Sequence, residues 1–114
     1  MRKFVLATVI ALSYLSGSAE AGFYDGNEVY ARCTSAEANR ETWCLGYVAG
    51  VADTYQTHLK VLSNGRRCFP KGSTLGQLKD VFIRYLLDHP EDRHWDADGL
   101  AMLSFRDAFC PDKK

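Results

Sequence analysis

The chain predicts an all-α protein, a small four-helix, approximately antiparallel bundle with two disulfides. Three observations predict it. Apolar residues recur at spacings of three and four along most of the chain, and no segment sustains alternation with period two. Four cysteines, an even number, lie in a short chain that opens with an export signal. The 114 residues less a 21-residue leader leave 93, enough for one domain but only a modest core, so covalent staples matter.

The leader is read first. Arg2 and Lys3 supply a positive start, and residues 4–15 form a mostly apolar, uncharged run. That run is shorter than the roughly 20 apolar residues a bilayer span requires. Small and polar residues follow at 16–18, and Ala19-Glu20-Ala21 fits an A-x-A cleavage site. Residues 1–21 therefore read as a signal peptide cleaved after Ala21, and 22–114 as a single exported domain with no stable membrane association after cleavage. Of 14 basic and 14 acidic side chains, the leader removes Arg2, Lys3 and Glu20, leaving 12 and 13. A near-neutral balance without clustered Lys and Arg argues against nucleic acid as a partner.

Helix one is expected over 27 to about 36, with Val29 and Cys33 on one side. Residues 37–41 read as a polar turn or the approach to the next helix. Helix two, over 42 to about 62, is the clearest: Cys44, Tyr47, Val48, Val51, Tyr55, Leu59 and Leu62 share a stripe. Its second face carries Gly46, Ala49, Gly50 and Asp53. A glycine inside a helix costs about 1 kcal/mol relative to alanine, so two of them one turn apart predict that another helix passes close by. Ser63-Asn64-Gly65 supplies turn chemistry at its end. Helix three is expected over 74 to about 88: Thr74 and Gln77 fit a capping box, and Leu75, Leu78, Phe82, Tyr85 and Leu86 make its stripe. Pro90, with Glu91 and Asp92 behind it, suits the start of a fourth helix running to about 109.

Geometry selects the disulfide pairing. Helix two is about 30 Å long at 1.5 Å per residue, with Cys44 at its start and Cys68 just past its end. Short connections make neighbouring helices antiparallel. Cys110 then returns to the Cys68 end, and Cys33 lies near Cys44. Bridged Cα atoms must lie within about 7 Å, which favours Cys33–Cys44 and Cys68–Cys110. A zinc site would use closely spaced cysteine pairs, whereas the spacings here are 11, 24 and 42.

No catalytic motif emerges. With all four thiols committed no cysteine nucleophile remains, and serine-hydrolase, zinc-protease, phosphate-loop and EF-hand signatures are missing from the sequence. The chain is therefore read as a non-enzyme without metal or cofactor. The densest polar cluster runs from Asp88 to Asp96 and includes His89, Glu91, Asp92, His94, Trp95 and Asp96. Part of it is what a helix start requires. Asp53, a carboxylate among glycines, reads either as a satisfied buried acid or as a binding residue, with the structural role favoured. The ends of the bundle also differ in charge. Segment 60–71 carries Lys60, Arg66, Arg67 and Lys71 and no acid, whereas 88–98 carries five acids against Arg93. An acidic tip bearing Trp95 is a candidate docking surface.

Four stretches carry a family resemblance: Cys44-Leu45-Gly46-Tyr47-Val48-Ala49-Gly50-Val51-Ala52-Asp53, Cys68-Phe69-Pro70, Tyr85-Leu86-Leu87-Asp88-His89-Pro90-Glu91 and Ala108-Phe109-Cys110-Pro111. Together they resemble the Rap/Tai group, the resistance-associated and type VI secretion amidase immunity proteins of Gram-negative bacteria. The likeness runs from about 29 to 111. The C-x-G-Y-x-x-G-x-x-D run is its most specific part, and it assigns Gly46, Tyr47, Gly50 and Asp53 structural roles in the family motif. The last stretch departs from the family's frequent Phe-Pro-Cys order, and Gly99 is unexpected within helix four. The resemblance implies a periplasmic, helical, disulfide-bonded and often homodimeric immunity protein. Such a protein binds and occludes a papain-like peptidoglycan amidase delivered by type VI secretion and does no chemistry itself. His89, Glu91, Asp92, His94, Trp95 and Asp96 are then the candidate partner-binding residues. The competing class is a periplasmic stress or chaperone-like helical protein with another partner.

Overall fold

The computed structural model describes residues 22–111; the predicted signal peptide lies outside the described residues. Four α-helices follow one another: α1 Gly26–Cys33, α2 Ala38–Leu62, α3 Leu75–Asp88 and α4 Ala97–Phe109, with a 3-10 turn over Pro90–Asp92 between the last two. Among the described residues there is no strand, only an isolated antiparallel bridge between Asp25 and Asp96.

Each boundary has a local cause. Asp25 caps α1: its side chain accepts from the Glu28 amide at 2.9 Å, and the Glu28 carboxylate accepts from the Asp25 amide. The helix stops at Cys33, earlier than the sequence predicts. Thr34 turns back, its hydroxyl and amide both donating to the Tyr30 carbonyl. α2 begins at Ala38, earlier than expected, so the supposed turn at 37–41 is largely its first turn. Arg40 and Glu37 pair across that turn at 3.2 Å, and Glu41 reaches Lys79 of α3 at 3.4 Å. α2 ends where Asn64 and Gly65 take positive φ, which glycine adopts without steric cost. The predicted capping box at Thr74 and Gln77 is present, with the Thr74 hydroxyl accepting from the Gln77 amide at 3.2 Å.

The core sits where one face of each helix converges. Val29, Val48, Cys44, Phe82, Leu86 and Phe105 are fully enclosed. Most of the predicted stripe on α2 is buried, but Leu62 at its end is exposed and Tyr47 is half-buried. On α3, Leu78, Phe82 and Leu86 face inward while Leu75 and Leu87 do not. On α4 the buried set is Ala97, Leu100, Ala101, Ser104 and Phe105. Burying aliphatic and aromatic side chains of this size contributes about 1.5–3 kcal/mol each. Ser104 meets the cost of burial by donating its hydroxyl to the Ala101 carbonyl at 2.7 Å.

The disulfides are Cys33–Cys44 and Cys68–Cys110, with Cα separations of 5.1 and 5.2 Å. The pairing is the one chosen from helix geometry. Each bridge has an aromatic cluster nearby in sequence: Trp43 stacks on Tyr47 beside Cys44, and Phe69 meets Phe105 and Phe109 edge-on beside Cys68 and Cys110.

Two expectations are corrected. Helix four does not start at Pro90; a 3-10 turn and an irregular stretch separate Pro90 from Ala97. The residues between are recruited elsewhere. Trp95 and Arg93 turn their carbonyls to the Gly26 and Asn27 amides at 3.0 and 2.9 Å, satisfying donors that the start of α1 leaves open. A continuous helix would have used those carbonyls internally. Gly99, meanwhile, lies inside α4 without interrupting it. The second correction concerns Gly46 and Gly50. Both are exposed, and a Cβ at either would meet nothing within 4 Å, so no helix among the described residues passes close to them.

Candidate partner-binding surface

The segment from His89 to Asp96, the acidic tip, is held from three sides. From below, the C-terminus of α3 supports it. The His89 amide donates to the Tyr85 carbonyl at 3.0 Å, and its Nδ1 lies 2.8 Å from the same oxygen. The imidazole stacks on the Tyr85 ring at 4.1 Å. His89 is thus half-buried and acts as the C-cap of α3.

From the side, α1 holds the tip through the two carbonyl contacts to its first amides. Gly26 is the residue that permits this approach, because a Cβ there would lie 2.9 Å from the Arg93 carbonyl oxygen and 2.7 Å from Leu100 Cδ1. From above, the extended N-terminal stretch closes on it. Ala97 donates its amide to the Tyr24 carbonyl at 3.0 Å, and a Cβ at Gly22 would sit 2.6 Å from Asp96 Cγ.

Arg93 ties these supports together. Its Nε donates to the Leu86 carbonyl at 2.6 Å, one of the last-turn carbonyls α3 cannot satisfy internally. Its guanidinium lies 3.9 Å from the Tyr30 ring centroid, a cation–π contact. The lone base of segment 88–98 is therefore turned inward, toward α1 and α3.

The remaining tip residues point outward. Glu91, His94, Trp95 and Asp96 are exposed, and Asp92 is half-buried. Trp95 is 60 % exposed although tryptophan is usually largely buried, and the His94 ring leans on it at 5.3 Å. Beside Trp95 an open groove of about 600 Å³ runs along the start of α4, lined by Asp92, Trp95, Asp96, Gly99, Leu100, Met102 and Leu103.

The acids leave an electrostatic mark inland. Tyr47, half-buried on α2, has its phenol pushed up to about 12, first by burial and then by the Asp98 and Asp96 carboxylates. Tyr85 is shifted in the same direction by burial and by Asp92 and Asp107. Asp53, the other sequence candidate, is exposed on α2, so the favoured reading of it as a satisfied buried acid is overturned. Gly46 and Gly50 share this open side of α2 with Thr54 and Thr57. Among the described residues no group of three or more His, Cys, Asp or Glu could hold a metal ion, and no helix is long and apolar enough to cross a membrane.

Sequence reasoning placed the tip and most of its exposed residues. It missed Arg93 as a clasp, Gly26 as a close-approach site, and the groove residues Met102 and Leu103. A signal for the start of α1 was present: Asp25 and Glu28 have the spacing of a capping box.

Comparison with protein families finds one matching model, described as Rap1a immunity proteins, over residues 25–110. Comparison with curated proteins and with solved structures returns no match. The match spans nearly all of the described residues.

Proposed function

We propose, from the chain's membership of the Rap1a immunity protein family, that it neutralises a secreted protein effector by binding it. The observation that carries this reading is the family match over residues 25–110. On this reading the effector is a papain-like peptidoglycan amidase delivered by type VI secretion. The immunity protein waits for it in the periplasm after losing its signal peptide, and does so as a homodimer. It performs no chemistry; inhibition is by occlusion.

The tip is the proposed contact surface. Glu91, His94, Trp95 and Asp96 are exposed, while His89 and Arg93 hold the backbone beneath them. A segment whose backbone is already held by such contacts loses less conformational freedom on binding, which favours affinity. Tryptophan is also a frequent interface anchor.

The test uses the processed protein, residues 22–114 with both disulfides formed. It is offered to the secreted and periplasmic proteins of the bacterium that makes it, and captured proteins are assayed for peptidoglycan hydrolysis. Capture of one amidase that loses activity in the complex is the expected result. Changing Glu91, His94 and Trp95 together should then abolish inhibition. Capture of many unrelated unfolded clients would favour the stress-protein class instead. Inhibition that survives the triple change would move the contact surface elsewhere.

A further inference from the structure

We infer that the groove beside Trp95 receives a cationic segment of the effector carrying an apolar side chain; this rests on the immunity reading above and specifies the partner's chemistry at the same tip. The groove has an apolar floor, with Trp95, Met102 and Leu103 set around Gly99. Among the described residues no side chain fills the space above Gly99, where a Cβ would meet nothing within 4 Å. An apolar group entering there displaces water from the indole face and the Met102 thioether, the adaptable lining that favours an inserted aliphatic or aromatic residue.

The rim fixes the charge. Asp92 and Asp96 border the groove, and Asp88, Glu91 and Asp98 lie on the same segment or just beyond it. Arg93, the one base among them, is committed to the Leu86 carbonyl and the Tyr30 ring. The His94 ring leans on Trp95 at 5.3 Å. The bases of segment 60–71 belong to the far end of α2 and the loop after it. In the processed protein the α-ammonium of Gly22 lies beside the Asp96 carboxylate, but against five acids this one cation leaves the rim net negative, a charge for the partner to match. An acidic partner segment would meet carboxylates at short range, and a purely apolar one would leave the rim carboxylates desolvated and unpaired. A lysine- or arginine-flanked apolar residue satisfies both the floor and the rim.

The probe is a lysine- and leucine-rich hexapeptide, with its aspartate-for-lysine counterpart as the control. Each is titrated into the ¹⁵N-labelled protein 22–114 and followed by backbone amide shifts. The expected result is saturable shifts confined to 92–103 with the basic peptide only. Binding should weaken as salt rises from about 0.1 to about 1 M, where the Debye length shrinks from about 10 to about 3 Å. The Asp92→Lys/Asp96→Lys protein should lose the basic peptide, and Asp92→Asn/Asp96→Asn should weaken it; amide dispersion in each spectrum verifies the fold. No shifts at about 5 mM peptide, weaker than any affinity worth assigning to a docking groove, would overturn the inference, as would equal shifts with both peptides.

The effector separates this inference from the reading it rests on. If an effector binds the native and Asp92→Lys/Asp96→Lys proteins equally, the groove assignment falls and immunity stands. If no effector is found while the basic peptide still maps to 92–103, the groove stands and the immunity reading falls.

Discussion

Replacing Arg93 with alanine removes a side chain that joins α1, α3 and the tip. Two interactions disappear. The 2.6 Å hydrogen bond from a permanently charged donor to the Leu86 carbonyl is of the kind that contributes about 1.5–3 kcal/mol. The guanidinium over Tyr30, half-buried, adds about 0.5–1 kcal/mol. The sum is roughly 2–4 kcal/mol, part of it the cost of leaving the Leu86 carbonyl without a partner. For a domain of this size, each kcal/mol moves the midpoint of thermal unfolding by about 4–8 °C, so the variant should melt roughly 8–32 °C lower. The backbone carbonyl of residue 93 still accepts from Asn27, so the tip should loosen rather than detach. Arg93→Lys keeps a charge but lacks the planar fork and the stacking face, and should fall between the two. The assay is thermal and urea unfolding by circular dichroism with the disulfides intact, together with amide exchange over 89–97. A loss below about 0.5 kcal/mol, the range of ordinary surface substitutions, with unchanged exchange at the tip, would refute the clasp.

Further perturbations test other parts of the framework. Removing Cys68–Cys110, whose sequence separation is 42, should cost roughly 4 kcal/mol, against roughly 3 for Cys33–Cys44 with its separation of 11. Equal thermal shifts for the two double-serine variants would count against the chain-entropy argument. Gly50→Ala should raise stability by up to about 1 kcal/mol, because the new methyl meets nothing and helix propensity improves; a lower melting temperature would reveal a contact the isolated chain lacks. The Tyr47 phenol, held up to about 12, should ionise well above the ordinary value of 10.0 in an absorbance titration. Its neutral form is favoured in the fold, so this contribution to stability is complete below the ordinary value of 10.0 and is lost as pH rises toward about 12. Asp98→Asn should lower that midpoint while leaving the part due to burial.

The helices were legible wherever local chemistry decides them. Thr74 and Gln77 announce the start of α3, and the spacing of Cys44, Val48, Val51, Tyr55 and Leu59 announces the buried face of α2. Once those helices are placed, the reach of a disulfide selects the pairing. What could not be read locally is the interruption before α4. Pro90, Glu91 and Asp92 have the chemistry of a helix start, and only the amides of Gly26 and Asn27, distant in sequence, divert the carbonyls of Arg93 and Trp95. The glycines of α2 failed for a different reason. Periodicity shows that Gly46 and Gly50 share a face but not whether that face meets the same chain or is left open. The sequence shows Arg93 only as one base among five acids; its partners are a carbonyl and a ring that composition does not flag.

The division of labour at the tip bears on how such a protein changes over generations. The groups that fix its backbone (the Arg93 guanidinium, the His89 ring, the Gly26 approach and the Tyr24 carbonyl) are turned inward or belong to the main chain, whereas Glu91, His94 and Trp95 stand clear of them. Substitutions at the outward positions remove no support from the backbone and fall in the class that usually shifts stability by less than about 0.5 kcal/mol. If the tip makes the contact proposed above, its recognition can drift toward a new target, or keep pace with an altered one, without the domain having to find a new way to fold.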